Sequence, residues 1–176
     1  KGSNGEFTLI EPTVVLPEGQ GNITVREVDG IPMHFKDIGS AEAPSATLIY
    51  MPRQKLLFNS ELMYRGLHNI YTLRGAQVRD ALGWSKVINQ VIHEWGDKID
   101  TIIGPHGPSF SGNEKIIEYM KVQRDNYGFL HNQTLRLINS GMKMQDVGRT
   151  IEAMVPKSLS SLWHTHGFHG TYSHNA

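Results

Sequence analysis

The sequence predicts an α/β fold in which a layered domain gives way to a purely helical segment. Three observations carry that prediction. Strand signals fill the first third of the chain, the hydrophobic period becomes helical near Trp84, and only helical patterns follow Asn113. The order of strands, then helix and strand, then helices places a domain boundary near Gly112, dividing the chain into 1–112 and 113–176.

Element by element, FTLIEPTVV reads as a first strand. ITVREV and IPMHFKDI follow, joined by Asp29-Gly30, a dipeptide suited to a two-residue hairpin turn whose central residues need positive φ. ATLIYMP and KLLFN read as two further short strands. Trp84, Val87, Ile88, Val91, Ile92 and Trp95 then share one face at helical spacing, in a helix stopped at Gly96. DTIIGPHG is a short buried strand running into a Gly-Pro loop, where a side chain can face a site. A long helix over Asn113 to Asn139 fits Ile117, Met120, Tyr127, Leu130, Thr134 and Ile138. Gly128 costs it about 1 kcal/mol against Ala. Ser140-Gly141 ends it, a shorter helix over Gln145 to Met154 stops before Pro156, and the tail after Leu162 has no period.

Composition narrows the function classes. A chain of 176 residues can enclose one sizeable core, and 39% hydrophobic with 19% charged residues describes a folded protein without a membrane span. With 17 basic and 17 acidic residues there is no global field to hold nucleic acid. The absence of cysteine excludes disulfides and thiolate zinc sites, so a metal would need His and carboxylate ligands.

Three stretches raise the chemical question: GSAEAPSA with Glu42, LLFNSELMYRGLHNIYTLRGAQVRD with Glu61 and Arg74, and TIIGPHGPSF with His106. Each follows or adjoins a predicted strand end, where α/β proteins build sites on loops. Two carboxylates and an imidazole suit Zn²⁺, Mn²⁺ or non-haem iron. The residues alone leave plainer readings open. A Glu before Ala-Pro is ordinarily solvated, and Arg74 pairs equally well with a carboxylate such as Asp80. In the tail WHTHGFHGTYSHNA, His164, His166 and His169 stand at the first, third and sixth places of the zinc motif HxHxDH. Phe168 occupies the place of the Asp and cannot ligate.

The runs LHNIYTLRGAQVRDALGWSK and SGNEKIIEYMKVQRDNYGFLHNQTLRL, with the closing GTYSHN, closely resemble the alkyl sulfatases of the metallo-β-lactamase superfamily. The resemblance implies that 1–112 is the second half of the αββα sandwich and 113–176 the start of a helical dimerisation domain. It implies two zinc ions that activate a water, with Glu42 on the first zinc, Glu61 between the metals and His106 on the second. The family usually has His-Trp-Pro after that histidine, where this chain has Gly-Pro-Ser. Arg74 and His174 are implied to clamp the sulfate and act in catalysis, with Asn69 and Tyr71 lining the site, whereas Arg79 reads as a structural ion-pair residue. The HxHxDH motif should precede Glu42, and is expected from a missing N-terminal half of the domain or from another chain. The activity implied is zinc-dependent hydrolysis of an alkyl sulfate to alcohol and sulfate; the alternative is a non-catalytic fragment or dimerisation piece. A homodimer, no nucleic acid, no membrane span and a periplasmic or secreted location complete the expectation. Gly167 to Gly170 then read as a packed turn leading to His174, whose partner is sulfate and not zinc.

Overall fold

The computed structural model describes residues 8–17, 19, 21–39, 43, 45–72, 75, 77–162 and 170–176. Among them one six-stranded sheet follows chain order: β1 (Ile23–Val28), β2 (Ile31–Gly39), β3 (Ala46–Met51), β4 (Leu56–Phe58), β5 (Thr101–Ile103) and β6 (Phe110–Ser111). All neighbours are antiparallel except β4 and β5, which run parallel in the register Leu56 to Thr101 and Phe58 to Ile103. The helices are α1 (Ala81–Trp95), α2 (Asn113–Asn139), α3 (Met144–Met154), α4 (Lys157–Ser160) and α5 (Tyr172–Asn175). None is long and apolar enough to cross a membrane. The expected α/β class and the passage from strands to helices are both present.

The local code explains the first hairpin. Asp29 and Gly30 have φ of 50° and 75°, the paired positive values that let a two-residue turn match the twist of its strands. Alternation then sorts the sheet faces, because Lys36, Ile38, Leu48, Tyr50, Leu57 and Ile102 are buried while their neighbours along each strand are only half-buried. Helix α1 covers the buried face. At its C-terminal end Trp95 stacks on Tyr50 with ring centroids 5.2 Å apart, and near its N-terminal end Trp84 stacks on Tyr127 of α2 at 4.7 Å. A single buried cluster therefore runs from the sheet through α1 to α2 and α3. The end of α1 tightens into a 3-10 turn over Gly96–Lys98, and Asn113 Nδ2 donates to the carbonyls of Gly96 and Ile99, so the first residue of α2 caps it.

Two expectations need correction. FTLIEPTVV forms no strand over 8–15: Leu9, Ile10, Val14 and Val15 are 68–91% exposed, and Pro12 has no N–H to give a ladder. β propensity without a paired edge is not enough. The buried face of α2 contains Ile116, Tyr119, Gln123 and Asn126 besides Met120, Tyr127 and Leu130, while Ile138 is 49% exposed. It contacts both α1 and the sheet end, so its covered face is wider and more polar than one apolar stripe. β6, α4 and α5 lie where the sequence suggests no element, because at two to four residues they are too short to give a period.

One buried charge tests the packing of α1. Lys36 is 1% exposed, and its Nζ lies 2.9 Å from Glu94 Oε1 and donates to the Gly21 carbonyl. Removing only the carboxylate strands an ammonium in the interior. Glu94→Ala is expected to lower the unfolding free energy by about 3 kcal/mol. Lys36→Met, which keeps the packed stem, is expected to cost clearly less in the same urea titration; equal losses would mean that the charge pair is not what the helix needs.

Candidate functional site

The parallel pairing of β4 and β5 makes both strands end at the same edge of the sheet, so the loops that follow them are neighbours. Asn59, at the exit of β4, holds the two loops in place. Its backbone N–H and its Nδ2 both donate to the Ile103 carbonyl at the end of β5, and its Oδ1 accepts from the Met63 N–H. Gly104 lets the loops close, because a Cβ there would stand 3.0 Å from Asn59 Nδ2 and from the Ser60 carbonyl. Ser60 turns the chain with φ of 49°, in the left-handed region, and its hydroxyl donates to the Thr47 carbonyl. Glu61 comes next.

The result joins two predicted residues. His106 Nε2 lies 3.5 Å from Glu61 Oε2, with both side chains about two-fifths exposed. A cleft of about 340 Å³ is lined by Glu61, Ser60, Thr47, Ser45 and Ala43, so the residue after Glu42 borders the space beside Glu61. Glu42 itself lies outside the described residues, as do Arg74, His164, His166, Phe168 and His169. Asn69 is buried and its Nδ2 donates to the Tyr71 carbonyl, while the Tyr71 ring is 42% exposed. His174 stands exposed on α5, its backbone N–H accepted by Thr171 Oγ1. Among the described residues no three His, Asp or Glu side chains are arranged to hold a metal ion.

Two participants were not singled out from the sequence. His68 is buried between the rings of Tyr64 and Trp84, and its Nε2 lies 3.1 Å from the same Glu61 Oε2. Asn175 ties the tail to this segment, accepting from the Ile70 N–H and donating through Nδ2 to the His68 carbonyl. Tyr172, beside it, is buried with its hydroxyl on Asn126. The signal for both residues was in the recognisable runs LHNIYTLRG and GTYSHN, but spacing alone did not distinguish His68 from Asn69 or Asn175 from His174. Arg79, read as an ion-pair residue, donates to the Asn69 carbonyl at 2.7 Å and lies 3.2 Å from His68 Nδ1.

Electrostatics follow the geometry. Burial pushes the Glu61 carboxyl up, but the hydrogen bond from His68 and the neighbouring His106, His68 and Arg79 outweigh it, and the net shift is downward. Burial holds His68 below its ordinary value, against the opposing hydrogen bonds to Asn69 and Glu61. A histidine depressed in the folded state contributes stability that is complete above its unfolded value near 6.5 and is lost as pH falls towards the folded value. With chelator present, the unfolding midpoint should therefore drop as pH falls from neutrality through 6.5. His68→Gln should flatten that drop; an unchanged slope would contradict the burial of a neutral imidazole.

No family model matches the chain. Among curated proteins it is 41% identical over 173 residues to the alkyl/aryl-sulfatase BDS1 of Saccharomyces cerevisiae, covering 98% of this chain and 26% of that protein. It is 34% identical to a linear primary-alkylsulfatase of Pseudomonas sp., again over 98% of this chain and 25% of the relative. The solved structure of the stereoselective inverting sec-alkylsulfatase Pisa1 from Pseudomonas sp. superposes with a TM-score of 0.88 at 32% identity, covering 96% of this chain and 26% of that one. A metallo-β-lactamase from Pontibacter korlensis aligns with 60% of the chain at a TM-score of 0.44, too distant to bear on the assignment. Over nearly its whole length, then, the chain is similar to one segment of the alkylsulfatases, and it spans about a quarter of the length of the relatives it matches.

Proposed function

We propose that this chain is part of an enzyme that hydrolyses alkyl sulfate esters to alcohol and sulfate, and that it provides one wall of a binuclear zinc site. The observation that carries the reading is the meeting of Glu61 and His106, 45 positions apart in sequence, at 3.5 Å. Two ligands of one tetrahedral zinc, each about 2.0–2.1 Å from the metal, stand about 3.4 Å apart. The pair therefore fits neighbouring positions on a single ion. In this reading Glu42 completes the carboxylate set, and the HxHxDH ligands come from residues outside this chain. Zinc supplies a hydroxide nucleophile at neutral pH.

The remaining work falls to the chain's own side chains. Arg74 binds the sulfate, because a planar guanidinium donates two parallel hydrogen bonds to its oxygens. His174, with Asn69 and Tyr71 nearby in the assembled site, orients the ester and offsets charge developing on the leaving group. Residues 1–112 belong to a metallo-β-lactamase-like sandwich and 113–176 begin a helical dimerisation domain. Leu135, Ile138 and Met144, 45–89% exposed around the end of α2, support a covered face there in a homodimer.

The test uses the full-length protein that contains this chain. It should bind about two zinc ions and release sulfate from dodecyl sulfate, with much lower rates on a matched phosphate ester. Glu61→Gln should lower kcat/KM by about 1000-fold and reduce bound zinc. Full zinc content and full activity in that variant would overturn the reading. In isotope-labelled water, label in the sulfate means attack at sulfur and label in the alcohol means attack at carbon.

A further inference from the structure

Glu61 is held from behind as well as faced from the front. The His68 ring is 5% exposed and wedged between Tyr64 and Trp84, with ring centroids 5.3 Å and 5.2 Å away. Its backbone is fixed too: the N–H donates to the Tyr127 hydroxyl, and the carbonyl accepts from Asn175 Nδ2. A ring so confined has one orientation to offer.

The protons on that ring follow from its partners. A guanidinium has donors only, so a lone pair on Nδ1 of the neutral ring accepts from Arg79 Nη1 at 3.2 Å. The proton then sits on Nε2, aimed at Glu61 Oε2 at 3.1 Å. The other tautomer would set an N–H against the guanidinium and a lone pair against the carboxylate, two repulsions in a buried space. The Asn69 carbonyl, 3.0 Å from Nδ1, has a second lone pair beside the one that accepts from Arg79 at 2.7 Å, so it is Glu61, an acceptor only, that fixes the proton of the neutral ring on Nε2. Arg79, His68 and Glu61 thus form a directed chain of donors.

We propose that His68, held as the Nε2–H tautomer between Arg79 and Glu61, is the positioning residue that orients the Glu61 carboxylate for the metal site. This rests on the reading of Glu61 as a metal-facing carboxylate. A Glu side chain has three rotatable bonds, and the hydrogen bond from His68 engages one oxygen and limits how the carboxylate can swing. Outer partners of this kind are worth about 10–100-fold in metal affinity or activity.

The experiment compares variants of the full-length protein by zinc competition with a chromogenic chelator, by steady-state kinetics on dodecyl sulfate, and by thermal unfolding. His68→Phe keeps a ring between Tyr64 and Trp84 but removes the donor. It should weaken zinc binding by about 10–100-fold and lower kcat, with KM little changed. His68→Gln places an amide N–H where Nε2 stood and should restore most of the zinc affinity, a rescue that a purely structural role would not give. Arg79→Met should reproduce the His68→Phe defect, and the double variant should be no worse than His68→Phe alone, because both act through one hydrogen bond. Wild-type zinc affinity in His68→Phe, failure of His68→Gln to rescue at equal thermal stability, or additive losses would each overturn the proposal. If His68→Phe does not fold, Arg79→Met and His68→Gln decide the matter by the same readouts. Glu61→Gln separates the two levels: if it leaves zinc and activity intact, the functional reading fails, and if it abolishes them while His68→Phe does not, only the positioning role fails.

Discussion

The parallel pairing of β4 with β5 is the constraint on which the rest depends. β4 arrives from β3 through a short antiparallel turn, and a parallel return cannot be made by such a turn. The chain needs a crossover, and 59–100 with α1 is that crossover. Once α1 is there, its apolar stripe must be covered, and Tyr50, Leu57 and Ile102 on the sheet with Tyr127 on α2 do so. The price is a set of polar groups trapped under the helix, chiefly Lys36, which Glu94 and the Gly21 carbonyl satisfy. The benefit is chemical: both strands release their loops at one edge, and Glu61 meets His106 there.

The site is asymmetric in its environment. On the outer side Glu61 faces a cleft and a half-exposed histidine; on the inner side it faces a buried histidine backed by a guanidinium. Such an arrangement leaves the carboxylate accessible while its hydrogen-bond partner has little freedom to move. The tail takes part in the inner side. Asn175 satisfies the Ile70 N–H and the His68 carbonyl, groups in a loop with no strand or helix of its own to pair them. The helical part of the chain is therefore joined to the Glu61 loop by hydrogen bonds as well as by the shared core.

Much of this was legible locally. Asp29-Gly30 specifies its turn through backbone sterics alone, and the stripe from Trp84 to Trp95 specifies α1 because a helix repeats every few residues. The bounds of α2 were equally plain, since Gly112 and Ser140-Gly141 frame it. Where the reading failed, a partner was missing or extra. FTLIEPTVV has the composition of a strand but finds no edge, and α2 buries Gln123 and Asn126 because it is covered on more than one side. β6 has only two residues and exists because β5 offers an edge beside it.

By itself, then, the sequence determined the fold class, the main hairpin, the two long helices and, through LHNIYTLRG and GTYSHN, the resemblance to the alkylsulfatases. Only the tertiary structure decided which atoms meet. That Glu61 shares one oxygen with His68 and His106, that Arg79 serves His68, and that Asn175 reaches back 107 positions to the His68 carbonyl are non-local facts. Helical and strand periods record which face of an element is covered, but nothing in a linear pattern records which loop lies across from which. That is fixed by the order and direction in which strands pair.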